Sequence, residues 1–144
     1  RSEALALIQI ALGGMVAEEI AFGESGTGPA GDLAAATGIA VEIVGSMGLG
    51  GSLISFRALD DGALGGNLVA KVLADERARE AVDHLLTEQK AVVSALLMAN
   101  RPVVEALRDA LLARDELVGR EIIEVIEAAQ RESDLVVDLR LPVG

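Results

Sequence analysis

The chain has 144 residues, enough for one domain that buries roughly two-thirds of the surface its unfolded form exposes. Its 12 basic and 23 acidic side chains give a net charge of −11, with the basic ones scattered along the chain, which argues against a nucleic-acid partner. The absence of cysteine excludes disulfides and thiolate chemistry, and a hydrophobic share of 51% with only 1% aromatics leaves the core to aliphatic packing between helices.

Leu5, Ile8, Ala11, Leu12, Val16 and Ile20 recur at helical spacing and predict a first helix over residues 3–22, with Gly13 and Gly14 permitting close approach of a neighbour. The apolar run from Ala4 to Ala17 is broken by Gln9 and falls short of the ~20 residues that span a bilayer, so it reads as a buried helix. It carries no signal-peptide pattern, and a start at Arg1 directly inside an apolar periodicity reads as a piece of something longer. Residues 23–31 read as an ordered loop. Asp32 then opens a second helix to about Ser46, and the glycines from Gly45 to Gly51 break the pattern.

Leu53 to Phe56 reads as a short extended piece and Asp60 to Gly66 as a glycine-rich mobile loop. Asn67 to about Ala99 reads as one long helix whose charged middle, Asp75 to Glu80, projects from the body. Asn100 and Pro102 mark a stop and a restart, and Val104, Leu107, Leu111 and Leu112 form the next apolar face. A last helix is expected from Arg120 to Gln130, followed by a tail over 131–144 that is either strand-like or disordered. The expected fold is therefore all-α, a bundle of about five helices with one long helix, occupying residues 1–130.

Asp32 is the foremost candidate for chemistry. As a helix N-cap its carboxylate would accept hydrogen bonds from first-turn N–H groups. As a zinc ligand it would supply an oxygen donor, and a helix N-terminus favours the negative charge a metal requires. Glu18 and Glu19 are consecutive and face different directions; they form either a solvated face or, at Glu18, a carboxylate that orients a ligand histidine. His84 lies one turn from both Glu80 and Glu88, but this spacing matches no metal motif and reads as an exposed histidine. Gly45, Gly48, Gly50 and Gly51 lack the Gly-Lys-Ser/Thr continuation of a phosphate loop and read as a turn. Ser25 and Thr27 have no histidine base near them in sequence, so neither hydroxyl reads as a nucleophile.

The stretch from Leu12 to Leu33, LGGMVAEEIAFGESGTGPAGDL, resembles the LGGRxAEExxFGExSTGAxxDL pattern of the FtsH family of ATP-dependent zinc metalloproteases. Asp32-Leu33 with Thr37, Ile39 and Ala40 is similar to that family's DLxxATxIAxxMV helix, and Leu107 to Ile122 to its LAxxLLExExLxGxEI segment. These motifs keep the family's order and roughly its distances, so the resemblance covers nearly the whole chain. Met15 stands where arginine is usual, Gly31 where Asn or Asp is usual, and the tyrosine of the family's turn is absent from Ser46 to Leu49.

The resemblance implies the C-terminal part of a zinc peptidase domain, with Asp32 as a zinc ligand in the intact protein. The other two ligands and the general base belong to a His-Glu-x-x-His helix, which is not in this chain. It further implies an upstream ATPase module using ATP and Mg, polypeptide substrates, a hexameric ring, and a membrane anchor upstream with this domain on the cytoplasmic side. The chain alone is then expected to be soluble, inactive and without cofactor. A rival reading from another class is a non-catalytic helical assembly module or pseudopeptidase, identical over these residues.

Overall fold

The computed structural model describes residues 2–23, 26, 30–46, 55–59 and 67–138. The all-α expectation holds: the described residues form six α-helices and a short 3-10 helix, with no strand among them. They are α1 (Ser2–Phe22), α2 (Ala30–Ser46), the 3-10 turn Phe56–Leu59, α3 (Leu68–Ala74), α4 (Glu76–Ala99), α5 (Arg101–Arg114) and α6 (Arg120–Asp138). The chain divides into two units, residues 1–95 and 96–144.

The first unit is built on the pairing of α1 with α2. Ile8 and Leu12 of α1 are buried with Ala36, Ala40, Val41, Ile43 and Val44 of α2, and Val72, Ala78 and Val82 of α3 and α4 complete this core. Small alanines facing larger aliphatics let the helices approach closely without aromatic filling, as the composition demands. By length and composition α1 is apolar enough to cross a membrane. Ile8, Leu12 and Val16 form its buried stripe, while most of its apolar length, including Leu7 and Ile10, is not buried among the described residues. It ends at Gly23, which adopts φ +82° and donates its N–H to Glu19 O at 2.9 Å, a glycine stop of the usual left-handed kind.

Three boundaries differ from the sequence reading, each for a local reason. The long helix expected over 67–99 is broken at Asp75, which takes an extended ψ of 122° and accepts the Ala78 N–H on Oδ1 at 2.9 Å. The charged middle thus begins with an N-cap instead of continuing a helix, and Asn67 caps α3 in the same way through the Val69 N–H at 3.0 Å. Helix α2 begins at Ala30, so Asp32 occupies its first turn rather than the N-cap position. The third is the last helix, which runs to Asp138 instead of stopping at Gln130, since no glycine or proline interrupts residues 131–138.

In the second unit α5 pairs with α6. Asp115 ends α5 in the left-handed region at φ 61° with its N–H on Leu111 O at 2.8 Å. Glu121 reaches back to the Val118 N–H at 3.1 Å while its own N–H bonds Val118 O at 2.9 Å, which closes the start of α6. The expected extended piece at 53–56 is described only at its end, where Phe56 is in the 3-10 turn. The glycine-rich stretch 60–66 lies outside the described residues.

Candidate functional site

The α1–α2 pairing carries the start of α2 back to the middle of α1. The Asp32 carboxylate is exposed in the first turn of α2, and its Oδ2 lies 3.7 Å from the point a Cβ on Gly14 would occupy. Glu18 stands one helical turn beyond Gly14 on the same side of α1. Its Oε2 accepts the backbone N–H of Gly26 at 2.8 Å. Asp32, Gly14, Glu18 and Gly26 therefore form one local constellation, and the two acidic candidates of the sequence reading belong to it.

Glu19 points elsewhere, as expected for a consecutive residue on a helix. Its Oε1 accepts Lys90 Nζ at 2.8 Å, a half-exposed ion pair linking α1 to α4. The two glutamates thus divide between a loop contact and a helix–helix contact, and neither is merely solvated.

His84 is three-quarters exposed, with Nδ1 3.6 Å from Glu88 Oε2, and is an ordinary surface pair. Gly45 does not make a turn: it lies within α2, where an added Cβ would be 2.5 Å from Val72 Cγ2, so glycine here permits close approach of α3. Gly48, Gly50, Gly51, Ser25 and Thr27 lie outside the described residues. Thr37 donates to Leu33 O at 2.7 Å within its own helix.

Sequence reasoning missed a second polar cluster. Arg57 Nη2 donates to both carboxylate oxygens of Glu42 at 2.8 Å, and its Nε donates to Ser46 Oγ at 2.8 Å. The Ser46 hydroxyl in turn donates to Glu42 Oε2 at 3.0 Å. The Arg57 hydrogen bond, opposed by partial desolvation and helped by Ser46 and the Arg57 charge, holds Glu42 below the ordinary glutamate range. The i,i+4 spacing of Glu42 and Ser46 was visible in sequence; the arrival of Arg57 from the 3-10 turn was not. This cluster pins that turn to α2 and offers no open coordination position.

Among the described residues no group of three His, Cys, Asp or Glu side chains could hold a metal ion. Asp32 fits one place in a three-ligand zinc set: it is a hard oxygen donor, exposed, and overlooked by a glycine instead of a side chain. The other two places have no candidate among the described residues.

The described residues are helical apart from short connections, and α1 and α2 together leave the Asp32 carboxylate exposed. Residues 1–125 match the model of Peptidase family M41. The chain is 33% identical over 137 residues to the ATP-dependent zinc metalloprotease FtsH of Thermus thermophilus, covering 92% of this chain and 22% of that protein. It is 29% identical over 152 residues to ATP-dependent zinc metalloprotease FTSH 2, chloroplastic, of Oryza sativa subsp. japonica, covering 99% and 22%. With FtsH 2 of Symbiobacterium thermophilum it shares 33% over 128 residues, covering 89% and 22%. The chain spans about a fifth of the length of these curated relatives. No solved structure matches it. The chain belongs to this peptidase family, the FtsH family, and represents the C-terminal part of its peptidase domain.

Proposed function

We propose that this chain is the C-terminal portion of the proteolytic domain of a membrane-anchored, ATP-dependent zinc metalloendopeptidase that acts on unfolded or membrane polypeptides. The family membership and the relatives' names support the zinc protease, and the placement of Asp32 is the observation that carries this chain's share of it. In the intact protein Asp32 would be one zinc ligand beside two histidines from an upstream segment. Zinc bound there would supply an activated water for attack on a peptide carbonyl. Within this chain, α1 and α2 hold the Asp32 carboxylate at the surface, where it can meet a metal brought by other residues. ATP and Mg would act on an upstream module, and hexameric assembly and the membrane anchor belong to the intact protein.

The test is Asp32→Asn in that intact protein. A neutral amide is a much weaker zinc ligand, so bound zinc and peptide hydrolysis should both fall by orders of magnitude. Folding should change by only a few tenths of a kcal/mol, the scale of a first-turn charge effect. Unchanged zinc content and hydrolysis would show that Asp32 is not a zinc ligand, whereas a wild-type intact protein with neither zinc nor hydrolysis would favour the non-catalytic assembly module.

A further inference from the structure

The core between α1 and α2 brings Asp32 to one point on α1. Leu12, two residues before Gly14, and Ala36, one helical turn after Asp32, are both buried in that core. Gly14 and Asp32 are therefore set against each other by the packing of the two helices themselves.

Gly14 lies inside α1, where glycine costs helix stability relative to alanine, so its presence asks for a compensating reason. At Gly45 the reason is packing, because a Cβ there would collide with the buried Val72. At Gly14 no described apolar group fills the space. The position is exposed, and outside its own helix backbone the one described atom within 4 Å of an added Cβ is Asp32 Oδ2, at 3.7 Å. The neighbour that a side chain at position 14 would meet is thus the carboxylate itself. A methyl at that distance makes ordinary contact, but the carbons of a longer side chain would stand beside the oxygen. Zinc binds a carboxylate oxygen at about 2.0–2.2 Å and brings its other ligands with it, so the surroundings of a ligand oxygen have to stay free of fixed side chains.

We propose that Gly14 is a positioning residue for the metal site: the missing side chain at this point of α1 keeps the Asp32 carboxylate open to zinc and to the ligands that arrive with it. This rests on the reading of Asp32 as a zinc ligand. Gly14 offers the metal no donor of its own and acts on it only through the space it leaves beside Asp32.

The experiment measures zinc affinity by competition with a chromophoric chelator, and the melting temperature of the metal-free form, in the intact protein. The variants are Gly14→Ala, Gly14→Leu, Asp32→Ala and the double variant Gly14→Leu with Asp32→Ala. Gly14→Ala should keep zinc affinity near wild type while raising the melting temperature, since alanine favours the helix. Gly14→Leu should weaken zinc by about 10–100-fold, the scale of changes around a metal's ligands, with no fall in melting temperature. Once the Asp32 carboxylate is removed, Gly14→Leu should cost little further affinity, because the two changes act on one interaction. Wild-type affinity in Gly14→Leu beside a weakened Asp32→Ala overturns the role of Gly14 and leaves the ligand assignment standing, and so does a Gly14→Leu loss that persists in full without Asp32. Wild-type affinity in Asp32→Ala overturns the ligand assignment and the role of Gly14 with it. If Gly14→Leu fails to fold, Gly14→Ser decides. Its hydroxyl would come within hydrogen-bond reach of Oδ2 and compete for the lone pairs, so zinc should bind several-fold more weakly, and wild-type or tighter binding there overturns the proposal.

Discussion

Gln9 Nε2 donates to Gln89 Oε1 at 2.7 Å, joining α1 to α4 across 80 residues of sequence. Gln89 is the one buried polar side chain among the described residues, and the bond satisfies it. Read along the chain, Gln9 is an interruption of an apolar run; in the structure it is the partner that a buried amide needs. Replacing Gln89 by leucine should leave the part-buried Gln9 amide without its partner and lower stability by about 1–3 kcal/mol. Replacing both by leucine should recover part of that loss. A double-mutant cycle in urea denaturation measures the coupling, and strictly additive losses would show that the bond contributes nothing.

Gly38 and Gly45 are both inside α2, yet they predict opposite outcomes. At Gly38 nothing lies within 4 Å of an added Cβ, so Gly38→Ala should stabilise by up to about 1 kcal/mol through helix propensity. At Gly45 the new methyl would meet Val72 Cγ2 at 2.5 Å, and Val72 is fully buried and stiff at χ1. Overpacking of about 1–3 kcal/mol should outweigh the propensity gain at that position. Melting temperatures of the two variants should move in opposite directions.

Glu42 gives the chain a small acid sensitivity. Its folded pKa is depressed, chiefly by the Arg57 hydrogen bond, so its contribution is present above the unfolded value of about 4.3 and is lost as pH falls through the folded value. Both partners are about half exposed, which keeps the contribution below about 1 kcal/mol. Arg57→Ala should raise the Glu42 pKa toward the ordinary value and flatten the stability profile below pH 5. Titration of the Glu42 carboxyl carbon by NMR checks this, and an unshifted midpoint would sink the assignment.

The outward side of α1 carries Leu7 and Ile10, the latter 74% exposed, and Leu33 is exposed at the start of α2. An apolar helix face left in water favours association. The chain should show a concentration-dependent mass in light scattering, reduced by Ile10→Glu, which removes apolar surface without touching the core. A monomer at all concentrations would count against an interaction role for this face.

A single carboxylate cannot hold zinc tightly, since affinity grows with the ligand set. The 144-residue chain, dialysed and analysed for metal, should therefore retain no stoichiometric zinc through Asp32. Retention that disappears in Asp32→Ala would mean that a complete site assembles from this chain alone.

What the sequence determined by itself is whatever depends on near neighbours. The 3.6-residue spacing of Ile8, Leu12 and Val16 makes α1 a helix with one buried stripe, and those residues are fully buried. Pro102 restarts the chain in α5, and the order of the Leu12–Leu33 and Leu107–Ile122 motifs identified the family. Even some misread boundaries had local causes, since Asp75 caps α4 through a residue three positions away and no glycine or proline stops α6 after Gln130. Tertiary structure alone decided the rest. That Gly45 admits Val72, that Gln9 meets Gln89, that Arg57 reaches Glu42 and that Glu18 takes the Gly26 N–H all depend on which distant segment arrives at a given helix face. Periodicity specifies which face of a helix is buried, but the occupant of that face is set by packing across the whole core, where shape and unsatisfied polar groups select the partner.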